Sequence, residues 1–131
     1  MNHSPLHNAP KVVFEVPGEP VPKGRPRLGK GGNVYTPKKT KAYERKVALI
    51  ATIARQSAHR KPFTGPVGIS VVLRFKTKRR IDLDNCLKAL MDSLNGVLYA
   101  DDSQVMEMQV SKVIGSDEPG AHVVVTELNW D

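Results

Sequence analysis

At 131 residues, with 40% hydrophobic and 25% charged side chains, the chain has the size and balance of one globular domain that needs neither disulfide nor metal staples. Cys86 is the single cysteine, which excludes an intramolecular disulfide and points to a reducing compartment. No apolar run approaches the roughly 20 residues of a membrane span, so no membrane partner is expected. The net charge of +7 asks what anion the protein meets.

The charge is unevenly spread. Residues 21–80 hold 17 of the 20 Lys/Arg and only one of the 13 Asp/Glu, Glu44. Such segregation is self-repelling unless a polyanion binds, and nucleic acid is the usual one. The alternative is a solubilising charged surface.

MNHSPLHNAP has neither a charged start nor an apolar core, so it is not expected to be a signal peptide. Residues 1–10 are expected as a flexible tail before a domain at 11–131. KVVFEV (11–16) predicts a short strand, and the Pro/Gly-rich stretch 17–35 an irregular arm studded with Lys23, Arg25, Arg27 and Lys30. Thr36 offers an N-cap and Pro37 a first helical residue. Tyr43, Val47, Ile50 and Ala54 then form one face of a helix reaching about Ser57. Lys38, Lys39 and Lys41 crowd its first turns, either to hold a phosphate or simply as solvated lysines.

Val67, Ile69, Val71, Leu73 and Phe75 alternate along a second strand, 66–76, which runs out into KTKRR. Leu83, Leu87, Leu90 and Leu94 stripe a second helix, stopped by Gly96. Residues 104–114 and 121–128 read as strands joined by GSDEPG, an expected antiparallel hairpin. The fold class is therefore α+β: a single domain with a mixed sheet and two main helices, in the order β-α-β-α-β-β.

Asp82 and Asp84 stand where the second strand gives way to the second helix, and Asp101 and Asp102 precede the next strand. Carboxylate oxygens suit Mg²⁺ or Mn²⁺. Two carboxylates about 4 Å apart repel by roughly 4 kcal/mol at an effective dielectric near 20, so a shared site needs a cation. Spacing leaves other readings open. Asp82 suits an N-cap and Asp84 a dipole-stabilised first-turn acid. Asp84, Lys88 and Asp92 also fit a salt-bridge ladder at i, i+4, i+8. A calcium loop fails for want of Gly at Leu87 and Glu at Ser93, and zinc for want of Cys/His pairs. Cys86 reads as a buried thiol. Neither a Gly-x-Ser-x-Gly nucleophile motif nor a phosphate loop is present.

DLDNCLKALMDSLNGVLYADDSQV (82–105) resembles the core motif of the RusA family of Holliday-junction resolvases, and VPGEPVPKGRPR with YTPKKTKAYE resembles its phage-type branch. The resemblance implies a RusA-like fold and a homodimeric, Mg²⁺-dependent endodeoxyribonuclease, with Mn²⁺ as substitute and no small-molecule cofactor. It would cut four-way branched DNA symmetrically, in the cytoplasm of a bacterium or phage host, close to the nucleoid. It further implies Asp82, Asp84 and Asp102 as metal-binding catalytic carboxylates, with Asp101 as neighbour, and Lys88 as catalytic lysine. Lys23, Arg25, Arg27, Lys76, Lys78, Arg79 and Arg80 are the expected DNA contacts. Two readings compete: a non-catalytic DNA-binding protein, and a less selective flap or fork nuclease.

Overall fold

The computed structural model describes residues 9–24, 27–32, 34–35, 37–78 and 80–128. The expected tail therefore lies almost wholly outside the described residues, as do Thr36, Arg25 and Arg79. Strand β1, Lys11–Pro17, alternates exposed and buried residues, with Val12, Phe14 and Val16 inward. Within the arm a two-residue ribbon forms, β2 (Arg27–Leu28) against β3 (Val34–Tyr35), so the arm is less irregular than its composition suggests. Helix α1 spans Lys38–Ser57. Pro37 is its N-cap residue rather than its first helical one, and it offers no side-chain cap. The expected start is thus one residue early: Pro37 keeps an extended ψ of 144°.

Strand β4, Val67–Phe75, buries every second residue, as its alternation predicts. Helix α2, Leu83–Leu94, carries the chain back along the sheet to a 3₁₀ turn at Asp102–Gln104 and strand β5, Val105–Ile114. Strand β6, Gly120–Glu127, follows. The four-stranded sheet runs β1-β6-β4-β5. β6 is antiparallel to both β1 and β4, whereas β4 and β5 are parallel and joined through α2 as a crossover.

The expected hairpin between the last two strands is therefore absent. β4 lies between them, and the link 115–119 passes over its end, where the Ser116 N–H donates to the Phe75 carbonyl at 3.0 Å. Arg74 secures this link through its Nε, which donates to the Glu118 carbonyl at 2.9 Å. Gly120 is needed beside it: a Cβ there would lie 2.7 Å from both Arg74 Nη2 and the Val16 carbonyl.

The inward faces of β1, β6 and β4 meet the helices in one core that includes Phe14, Leu73, Val123, Leu90 and Tyr99. On α2 the buried residues are Cys86, Ala89, Leu90, Ser93 and Leu94, while Leu83 and Leu87 pack at its margin. The stripe is rotated from the four-leucine reading, and Cys86 is buried as expected. β5 is an edge strand that exposes Met106, Met108, Val113 and Ile114. Among the described residues no helix is long and apolar enough to cross a membrane.

Candidate active site

Helix α2 begins on a capped aspartate. Asp82 accepts from the Asn85 N–H at 3.2 Å and from Asn85 Nδ2 at 2.8 Å, so one carboxylate satisfies an otherwise orphaned helix donor. Two residues on, Asp84 faces a different surface. It lines an open cleft of about 260 Å³ with Leu87, Lys88, Met91, Asp92 and Asp102. Asp84, Lys88 and Asp92 share that face because they recur every fourth residue.

Asp102 reaches the cleft from the far end of the crossover. α2 has 12 residues, so it carries the chain about 18 Å back along β4 before the aspartate pair emerges. Tyr99, fully buried, anchors the returning loop: its hydroxyl donates to the Met91 carbonyl at 3.1 Å. Burial, then the nearby Asp102, Asp92 and Asp101, drives that hydroxyl's pKa far up. Gln104 fixes the next residues. Its Nε2 donates to the carbonyls of Phe63 and Gly65, both at 2.9 Å, while its Oε1 accepts from Ala100 and Asp101 N–H groups. Asp101 caps the 3₁₀ turn by accepting from the Ser103 N–H at 3.0 Å. Hydrogen bonding from Ser103, side chain and then backbone, holds the Asp101 carboxyl below its ordinary range.

The structure thus gathers Asp84, Lys88 and Asp102 on one cleft. Asp82 faces a neighbouring groove of about 220 Å³ with Pro20, Pro22, Lys39 and Arg80 among its walls. Asp101 is exposed, uses Oδ2 on its cap and does not line this cleft. Among the expected DNA contacts, Lys76, Lys78 and Arg80 are exposed past the end of β4. The backbone of Arg27 lies in the ribbon, whereas Arg25 and Arg79 fall outside the described residues. Lys23 is different: its ammonium pairs with Glu44 and Asp92. Arm, start of α1 and end of β4 converge on the α2 N-terminus, because Pro20, Lys39 and Arg80 line one groove beside Asp82.

Residues 17–126 match the family described as Endodeoxyribonuclease RusA. The chain belongs to the RusA family. A Bacillus subtilis (strain 168) relative, described as "Uncharacterized protein YqaN", is 35% identical over 144 residues, covering 90% of this chain and 97% of its own length. RusA membership implies endodeoxyribonuclease activity, and RusA nucleases depend in general on divalent metal.

Among the described residues no three His, Cys, Asp or Glu side chains gather into a metal-binding group. The RusA cleft nevertheless fits such an ion in kind. The carboxylates of Asp84 and Asp102 are hard oxygen donors with no hydrogen bond or ion pair among the described residues. Mg²⁺ characteristically takes one or two carboxylates, several waters and a substrate phosphate. Tyr99 and Gln104, which position Asp102, escaped the sequence reading. The Asp101-x-x-Gln104 spacing, a capping-box pattern, was the available signal.

Proposed function

We propose that this chain is a Mg²⁺-dependent endodeoxyribonuclease that resolves four-way (Holliday) junctions by paired, symmetric phosphodiester hydrolysis in DNA recombination and repair, in the cytoplasm. The observation that carries this reading is the meeting of Asp84, Lys88 and Asp102 on one cleft beside a groove flanked by Lys39 and Arg80.

Asp84 and Asp102 would hold the ion, which when bound supplies an activated water and positive charge at the scissile phosphate. Asp82 stays in the catalytic set on the family pattern, with its cap to Asn85 in the DNA-free chain. Asp101 serves by capping the turn that presents Asp102. Lys88, one turn beyond Asp84, neutralises charge developing on the phosphate oxygens. Arg25, Arg27, Lys76, Lys78, Arg79 and Arg80 bind the backbone of the branched DNA, so affinity falls steeply with salt. A homodimer is supported by the open edge of β5 and its exposed Met106, Met108 and Ile114, and its two-fold symmetry suits paired cuts.

The test compares wild type with Asp84→Asn on a labelled four-way junction and a linear duplex, in Mg²⁺, Mn²⁺ or EDTA. Wild type is expected to cut the junction in symmetric pairs only with metal, and Asp84→Asn to bind without cutting. Cutting by Asp84→Asn would remove Asp84 from the chemistry. A wild type that binds without cutting would make the protein a non-catalytic DNA-binding module. Equal cutting of flaps, forks and linear DNA would make it a general nuclease.

A further inference from the structure

Lys23 belongs to the basic block, yet its charge is spent inside the fold. Its ammonium lies 2.7 Å from Glu44 Oε2 on α1 and 3.2 Å from Asp92 Oδ2 on α2, and none of the three side chains is more than 28% exposed. The main chain delivers it there. The Lys23 N–H donates to the Asn85 carbonyl at 2.9 Å, and the Gly24 N–H to the buried Thr40 hydroxyl at 3.0 Å. A Cβ on Gly24 would lie 2.7 Å from Pro37 Cγ, so the segment is wedged between the two helices.

The partner matters as much as the pairing. Asp92 lines the same cleft as Asp84 and Asp102. Of these, Asp92 alone has an ion pair among the described residues. Three free carboxylates in one cleft would compete for a divalent ion, and the occupant would be drawn along α2 towards its C-terminal end. An ammonium already seated on Asp92 prevents this.

We propose that Lys23 is a positioning residue acting through Asp92: its ammonium takes the place a divalent cation would otherwise take there, confining the cation to Asp84 and Asp102, beside Lys88. The inference rests on the metal-dependent nuclease reading above. It separates Lys23 from the DNA-contacting cations, whose charge must remain available to phosphate.

The experiment is a calorimetric Mn²⁺ titration of the DNA-free full chain, run beside single-turnover cleavage of a four-way junction. Lys23→Met is expected to bind Mn²⁺ about tenfold more tightly, since the site gains a ligand charge. The same variant should cut about tenfold more slowly, because the ion is displaced from its productive place. Lys23→Arg should behave as wild type, and adding Asp92→Asn to Lys23→Met should return the Mn²⁺ affinity to the wild-type value. Asp92→Asn alone should leave that affinity within about twofold. Simple loss of structure would weaken both binding and cutting, so the opposed signs identify a positioning role.

Lys23→Met that keeps its circular dichroism but binds Mn²⁺ no more tightly overturns the proposal. So does a tenfold weakening in Asp92→Asn, which would make Asp92 a ligand already; that titration decides alone if Lys23→Met does not fold. A wild type that binds Mn²⁺ but cuts no DNA brings down the nuclease reading instead, and the Mn²⁺ comparison still judges Lys23.

Discussion

The hydroxyl of Tyr99 donates to the Met91 carbonyl at 3.1 Å, closing the last turn of α2 onto the loop that delivers Asp102. The Asn95 N–H, which would ordinarily serve Met91, donates instead to the Asp92 carbonyl at 3.3 Å. A side chain therefore satisfies a carbonyl that the helix end leaves orphaned. Tyr99→Phe keeps the packing and removes the donor, and is expected to cost about 1–3 kcal/mol. Urea denaturation measures the cost. A loss below experimental error would mean that water replaces the hydroxyl.

Asp82 has a capping role that Asn can take over and Ala cannot. Asp82→Ala is expected to lose about 1 kcal/mol of stability, whereas Asp82→Asn keeps the wild-type Tm. Because the proposed function also places Asp82 in the chemistry, Asp82→Asn should fold normally and fail to cut the junction. Cleavage surviving in that variant would reduce Asp82 to a cap.

Gly120 stands where β6 enters the sheet between β1 and β4. Its missing side chain leaves room for the Val16 carbonyl and the Arg74 guanidinium, both of which would lie 2.7 Å from a Cβ at this position. Gly120→Ala is expected to destabilise by about 1–3 kcal/mol, since the backbone acceptor cannot swing away. Thermal unfolding checks this, and an unchanged Tm would show that the sheet yields without cost.

On the open face of the sheet Glu15 receives Arg74 Nη2 at 2.8 Å and pairs with His122. Burial alone would raise the Glu15 pKa, but hydrogen bonds from Arg74 and then His122 outweigh it and lower the carboxyl. A lowered folded-state pKa gives stability that is fully present above the ordinary value of 4.5 and is lost as pH falls through the lowered one. Glu15→Gln should therefore cost under about 1 kcal/mol at neutral pH, this being a half-exposed pair. The gap to wild type should close as pH drops below 4.5. Urea midpoints measured across that range test the sign; a gap that widens in acid would contradict it.

Much of the fold was legible because its signals are local. The alternation of Val67 to Phe75 and the i+4 spacing of Tyr43 and Val47 each report one buried face, and both elements are present. The pairing of β5 and β6 was not legible. GSDEPG specifies that the chain turns, but a turn does not say whether another strand lies in the gap. β5 also carries apolar residues that no helix covers, so its pattern could not reveal its edge position. In the candidate site, Asp84 and Lys88 were legible through helical spacing. Whether Asp102 joined them depended on the length of α2 and on two residues, Tyr99 and Gln104, whose bonds reach elsewhere in the chain. Lys23 was legible as a charge, but its partners Glu44 and Asp92 lie far along the sequence.

The last of the described strands in chain order occupies the middle of the sheet. β6 is hydrogen-bonded on both sides, to β1 and to β4, so two-thirds of the sheet's pairings wait for it. A nascent chain that has emerged only as far as β5 owns an unpaired β1, a β4 with one edge open and a core missing Ala121, Val123 and Val125. The sheet therefore cannot close before β6 is available to pair. Pairings this far apart in sequence predict slow folding for a domain of this size. A ribosome stalled before Gly120 would display a sticky, chaperone-dependent intermediate rather than a smaller nuclease.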